Sequence, residues 1–134
     1  MSAGAPVGDL AQMLAGMAPV LHEQAFAFAL LDEGDALPAE AFALVREEEG
    51  TTAILPADTA GPHFARITLS LHSALEGVGL TAAVSSLLAE KGIACNVVAG
   101  FHHDHLFVPW ERRVEALGLL EGLAASVLAA RDAE

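Results

Sequence analysis

The sequence predicts an α+β fold of the ferredoxin-like kind, and two periodicities lead to that prediction. Apolar and polar side chains alternate along 65–71, as they do in a strand with one polar face. Apolar side chains recur every three or four residues along 80–90, as they do in an amphipathic helix. With 134 residues, of which 54% are hydrophobic and 18% charged, the chain has the length of one small domain and enough apolar material for its core.

The first 60 residues contain the shorter elements. Asp9 is placed to cap a helix that continues to Met17. Large and small apolar side chains alternate along Glu23–Leu31, and this pattern predicts a strand buried on both faces, with Phe26, Phe28 and Leu30 in the core. A turn at Gly34–Pro38 leads into a hairpin around Glu49-Gly50, whose expected strands are Phe42–Glu48 and Thr51–Leu55.

The remaining elements follow in the order strand, helix, strand, strand, helix. The expected strands are Ala65–Leu71, Ile93–Ala99 and His103–Pro109. The expected helices are Leu80–Glu90 and one that begins near Trp110 and turns six apolar residues inward, namely Val114, Leu117, Leu120, Ala124, Val127 and Leu128. A right-handed crossover makes the first two strands parallel, and a tight turn makes the second and third antiparallel. This is a ferredoxin-like β-α-β-β-α-β unit without its last strand, and we expect both helices on one face of the sheet.

The apolar run Ala25–Leu31 is the candidate for the missing strand. If it joins this sheet, the chain consists of two incomplete units that share strands, which explains how a short chain holds so many elements. We expect an N-terminal half at 1–60 and a C-terminal half at 61–134. A sheet with helices on one face leaves a face and an edge to bury, and we therefore expect a homodimer or a larger homo-oligomer.

Charge and cysteine content exclude several classes of protein. Six basic residues against eighteen acidic ones give a net charge of −12, which repels phosphate backbones and anionic lipids, so we expect neither nucleic acid nor a membrane as a partner. Cys95 is the single cysteine, which leaves no internal disulfide and no set of cysteines for zinc. Because the N-terminus lacks the basic region of an export signal, we expect a cytoplasmic protein.

Several segments together resemble a small bacterial family of ACT-domain proteins. They are Phe64–Ser85, Gly92–Gly100 and His102–Pro109, with Arg46-Glu-Glu-Glu-Gly50 earlier in the chain. The resemblance spans roughly residues 15–125, and the family is similar to the paired ACT modules at the end of aspartokinases. It implies an ACT-type sandwich of tandem units with a regulatory role, in which an amino acid or a similar small effector binds at an interface between modules.

By that resemblance, the effector lies near the loop between the first strand and the first helix, against the second strand of a partner module. The matching loop residues are His72, Ser73, Leu75, Glu76, Gly77, Val78, Gly79 and Leu80, and the facing strand contributes Asn96, Val97 and Val98. Backbone N–H groups at the helix start suit a carboxylate, while Glu76 or Asn96 suits an ammonium group. We expect Gly79→Ala to abolish binding at little cost in stability, unless the native φ at this glycine is positive.

Two motifs allow other chemistry. Gly77-Val-Gly-Leu-Thr-Ala82 fits the G-x-G-x-x-G/A dinucleotide fingerprint, but no acidic residue follows the second strand to bind a ribose, and the glycines equally fit a tight turn beside a closely packed helix. His102-His-Asp-His105 is the sharpest polar cluster. Strand alternation places His103 and His105 on one face, so a zinc site also needs His72 or His63.

We find no catalytic constellation. Ser73 follows His72, but adjacent side chains seldom converge, and no G-x-S-x-G elbow is present. Cys95 is expected to be an inert core thiol, and Glu47–Glu49 beside Arg46 a solvated turn. We therefore expect a non-enzymatic regulatory module without a cofactor. The alternative is a metal-binding protein or metal-dependent enzyme that uses the histidine cluster at 102–105.

Overall fold

The computed structural model describes residues 9–58, 62–72 and 77–132. The helices in this part of the chain are α1 (Leu10–Ala15), α2 (Leu80–Glu90) and α3 (Arg113–Asp132), the last preceded by a 3₁₀ turn at Trp110–Arg112. The strands are β1 (Pro19–Leu31), β2 (Ala43–Arg46), β3 (Thr51–Ala57), β4 (Phe64–Leu69), β5 (Asn96–Ala99) and β6 (Asp104–Pro109). None of the described helices combines the length and apolar character that crossing a membrane requires.

The strands form one sheet in the order β2-β3-β1-β4-β6-β5, and every neighbouring pair is antiparallel. The run β1-β4-β6-β5 has the strand order of a ferredoxin-like unit, with β1 in the place of the fourth strand. The run β2-β3-β1-β4 repeats that order with β1 as its first strand. Two incomplete units therefore share β1 and β4, which confirms the predicted fold class. The division into halves at residue 60 remains a prediction.

All three helices contribute to one core on one face of the sheet. Alternate residues of β4, namely 65, 67 and 69, pack there with Leu106 and Val108 of β6. Val84 and Leu88 of α2 and Ala116 and Leu120 of α3 complete the core, together with Met13, Leu14 and Met17 from the α1 region. The Asp9 carboxylate caps α1 by accepting a hydrogen bond of 2.9 Å from the Gln12 N–H. The prediction that α2 and α3 pack on one face is confirmed.

The opposite face of the sheet, which we call the helix-free face, curls on itself. Its core is a cluster of Phe26, Ile54 and Phe107, with Phe42 packed against them. Phe42 directly precedes β2, yet its ring centroid lies 4.9 Å from that of His105 on β6, although β3, β1 and β4 separate these two strands in the sheet. The strong curl makes the helix-free face concave.

Two expectations about burial are wrong. β1 is not buried on both faces, because Phe28 is 42% and Leu30 67% exposed. Phe28 and Leu30 follow Phe26 on the face of the sheet that the described helices do not cover, and β4 pairs with β1 only as far as Phe26. On α3, Val114 and Leu128 are exposed and Ala116 is buried instead. The buried residues of α3 are Ala116 and Leu120, and a pattern read from large residues misses the alanine.

Candidate functional site

The α2 helix begins at the predicted effector loop, and Gly79 is its N-cap. Gly79 has a φ of +102° and offers no side chain to the first-turn N–H groups. A Cβ at this position would lie 3.0 Å from Cδ2 of Leu10, whose side chain packs directly against the glycine. The positive φ meets the exception stated for Gly79→Ala, and the Leu10 contact adds to it, so this substitution should also lower stability.

The other loop residues are only partly placed. Ser73, Leu75 and Glu76 lie outside the described residues. Val78 is 81% exposed, Gly77 is half-buried, and Leu80 belongs to the helical core. His72 is half-buried, and its Nδ1 is buried without a hydrogen-bond partner.

The three predicted residues of β5 point to different faces. Val97 packs against the helical core, whereas Val98 packs on the helix-free face and Asn96 is exposed. β5 runs parallel to β4 because both are antiparallel to β6, and Ala99 and Leu69 lie opposite the same residue, Asp104. Asn96 is therefore at the far end of β5 from the loop that precedes α2. One chain alone does not bring Asn96 and Gly79 together.

The histidine cluster divides between two places. β6 begins at Asp104, after a turn closed by a hydrogen bond of 2.9 Å from the Gly100 N–H to the His103 carbonyl. The His102 ring lies 5.3 Å from that of His72, whereas His105 points to the helix-free face. Within the described ranges, no three His, Cys, Asp or Glu side chains are grouped as metal ligands.

A polar row that sequence reasoning missed crosses the helix-free face. His22 Nε2 lies 2.8 Å from the Thr68 hydroxyl, and the same hydroxyl lies 2.9 Å from Nδ1 of His105. We call these three residues the polar row. Burial and the nearby Arg66 charge lower the pKa of His22, and the same two causes, with smaller contributions from His103 and His22, lower the pKa of His105 to about 4. Both imidazoles are therefore neutral at pH 7.

Arg66 is the cation beside this row. Its guanidinium carbon stands 4.6 Å from the ring centroid of Phe42 and 5.5 Å from that of Phe26. Its Nε is buried and has no hydrogen-bond partner. The alternation of β4 shows that Arg66 and Thr68 share a polar face, but the sequence does not show that β1 and β6 add a histidine on each side.

The remaining candidates from the sequence have structural roles. Burial raises the pKa of the Cys95 thiol to about 11, and Cys95 packs against the helical core, as expected of an inert thiol. The Gly77–Ala82 fingerprint opens a helix, but the sheet has none of the parallel neighbours that a dinucleotide-binding fold requires. These glycines act in the turn into α2.

Comparison with known proteins defines the class. One ACT-domain family profile matches residues 5–67 and a second matches residues 65–122, so consecutive matches cover both ferredoxin-like units. The chain belongs to the ACT-domain family as a tandem ACT protein. ACT domains are regulatory modules that bind small molecules and are not themselves catalytic. The comparison with curated proteins gave no match.

Two solved structures are similar to this chain. A crystal structure of a Vibrio cholerae protein of unknown function, described as a possible transport protein, is 40% identical in sequence. The match covers 86% of this chain and 95% of the other, with a TM-score of 0.74. A crystal structure of an Agrobacterium tumefaciens protein is 20% identical over 75% of this chain and 83% of its own, with a TM-score of 0.59. This second likeness shows the fold alone.

Proposed function

We propose that the protein is a cytoplasmic, non-enzymatic regulatory module that binds an amino acid or a similar small effector between two copies of the chain. The observation that carries this proposal is the pair of consecutive ACT-domain matches over a single shared sheet. The effector position is the one that the family resemblance implies, at the start of α2 and against β5 of a partner.

The strand directions explain why a second copy is needed. β5 is the last strand of the sheet, so its outer edge is open to another strand. Two copies that pair their β5 edges antiparallel across a two-fold axis place the partner's Asn96 beside Ala99. Ala99 lies at the end of the sheet where the loop to α2 begins. Such a dimer brings together the Gly79 and Asn96 positions that one chain keeps apart.

The two ends of an amino acid suit the two sides of this interface. The N-terminus of α2 has no side-chain cap for its first N–H groups, and such a helix start favours a carboxylate. The Asn96 side chain of the partner copy offers an amide oxygen to an ammonium group. We place Glu76 and His72 at the rim of the site as further polar contacts.

The test is a thermal-shift screen of the standard amino acids, with the divalent metals Zn²⁺, Mg²⁺ and Mn²⁺ as a separate arm. A ligand at 100 times its Kd stabilises the folded protein by about 2.7 kcal/mol, so we expect at least one amino acid to raise the Tm by about 5 °C or more. Light scattering of the same samples should give about twice the monomer mass of 13.8 kDa.

Variants then locate the binding site. Asn96→Leu should weaken the amino acid found in the screen at least tenfold, because it removes the group that meets the ammonium. Gln12→Leu is the matched control, since Gln12 is an exposed residue on α1, away from β5. If no amino acid shifts the Tm while a metal does, or if the protein is a monomer throughout, the proposal is wrong.

A further inference from the structure

We propose a second ligand site, formed by one chain, in which Arg66 on the helix-free face binds a small organic carboxylate with a flat apolar group. The site is distinct from the effector position at α2 and β5. It consists of the Arg66 guanidinium, the polar row beside it and the aromatic rings beneath. It therefore does not depend on the proposed dimer.

The charge of Arg66 has no ionic partner among the described residues. The chain carries 18 acidic residues, but within residues 9–58, 62–72 and 77–132 none of them forms an ion pair with Arg66. The ion pair in this part of the chain is Arg112–Glu115, on the surface. Its Nε is buried and has no acceptor. Taking a guanidinium N–H from water without an acceptor costs free energy, and a bound carboxylate, the anion whose shape matches the guanidinium fork, supplies that acceptor.

The groups next to Arg66 on the sheet are polar and uncharged. His22 and His105 flank Thr68, and the three polar groups follow Arg66 along the same face of the sheet. Because both imidazoles are neutral, the row offers an anion N–H and O–H donors and adds no positive charge to that of Arg66. Arg66 supplies the charge, and the row supplies neutral donors.

The aromatic surface of the helix-free face suits a ligand with a flat apolar group. Five phenylalanines line this face, with edge-to-face ring contacts between 5.2 and 5.8 Å, and they are Phe26, Phe28, Phe42, Phe64 and Phe107. Phe28 is 42% exposed, so an incoming flat group has a ring to stack against. The concave face thus combines a cation, neutral donors and an open aromatic edge.

The test uses benzoate as the probe and benzamide, which has the same ring without the charge, as its control. In NMR titrations of the full chain we expect benzoate, at millimolar concentrations, to shift the ring signals of His22 and His105 and to raise the pKa of both imidazoles. Benzamide should cause neither change. Equal shifts with benzamide, or no saturable shift with benzoate, would overturn the proposal without any variant.

A pair of arginine variants then tests whether the charge of Arg66 is the one that binds benzoate. Arg66→Gln should weaken benzoate at least tenfold, whereas Arg46→Gln, which removes an exposed arginine at the end of β2, should leave its Kd unchanged. A folded Arg66→Gln protein that binds benzoate as wild type does would contradict the proposal. If Arg66→Gln does not fold, the wild-type comparison of benzoate with benzamide decides the question.

Discussion

The two ferredoxin-like units have the same strand order but differ in the segments that join their strands. In the first unit, residues 32–42 connect β1 to β2 without a helix. In the second unit, α2 connects β4 to β5, and α3 follows β6. The effector position that we propose lies at the start of a helix that follows the first strand, and among the described residues such a helix occurs in the second unit. The first unit contributes β1 as a shared strand and Phe26 and Phe42 to the helix-free face.

This difference teaches that duplication of an ACT unit need not duplicate its site. We expect one effector position per chain, at α2, and the second unit to contain most of the structure's stability. The two units are continuous through β1 and β4, which both units share and which pair with each other. The predictions below test this division, from the largest expected effect to the smallest.

The largest effect concerns core packing in the two units. Leu120 on α3 is fully buried in the helical core, and Leu120→Ala should lower the free energy of unfolding by about 2–5 kcal/mol. Leu30→Ala, the same change at a leucine of β1 that is 67% exposed, should change it by no more than about 0.5 kcal/mol. Urea denaturation of both variants measures the difference. Equal losses would show that the first unit has its own well-packed core.

Glycine substitutions compare the turn into α2 with a turn of the first unit. Gly79 and Gly34 both have a positive φ. An alanine held in this left-handed backbone conformation should lower the free energy of unfolding by about 1–2 kcal/mol at either position. Gly79→Ala should cost more than Gly34→Ala, because its Cβ would meet Leu10, whereas no atom lies within 4 Å of a Cβ at Gly34. Adding Leu10→Ala should remove that excess in a double-mutant cycle. An excess that survives would assign the cost to the backbone alone.

A smaller effect is a pH dependence from the histidines that join the units. His22 belongs to β1 and His105 to β6, and both have a lowered pKa, that of His105 being about 4. An unfolded imidazole binds a proton near pH 6.5, whereas His105 in the folded protein does not. The free energy of unfolding should therefore fall as the pH decreases from about 6.5 to about 4.

Urea denaturation at several pH values checks this dependence. His105→Gln should show a shallower fall below pH 6.5 than the wild type does. His102→Gln, which removes an exposed imidazole of the neighbouring turn, controls for the loss of a histidine. An unchanged slope in His105→Gln would mean that the polar row does not contribute to the pH dependence.

Sequence periodicity predicts most of the second unit and less of the first. β4 and α2 each have one apolar and one polar face. The spacing of their apolar residues along the sequence therefore reveals both the type of element and the face that is buried. Within the described residues, no helix connects the strands of the first unit, and β1 serves both units, so the burial of β1 depends on partners distant in sequence. The same reason hides the polar row, since His22, Thr68 and His105 meet only when β1, β4 and β6 pair in the sheet. The Leu10 contact with Gly79 is likewise invisible without α1 in place.

Hydrogen exchange at the two edges of the sheet tests the central claim, that two copies join through β5, most directly. β2 and β5 are both edge strands of four residues. In the proposed dimer the outer edge of β5 pairs with β5 of a second copy, whereas the outer edge of β2 does not pair. At concentrations where light scattering gives a dimer, we predict slow exchange for the outward-pointing amides of β5, fast exchange for those of β2, and faster β5 exchange on dilution. Outward amides of β5 that exchange as fast as those of β2 in a proven dimer would contradict the account.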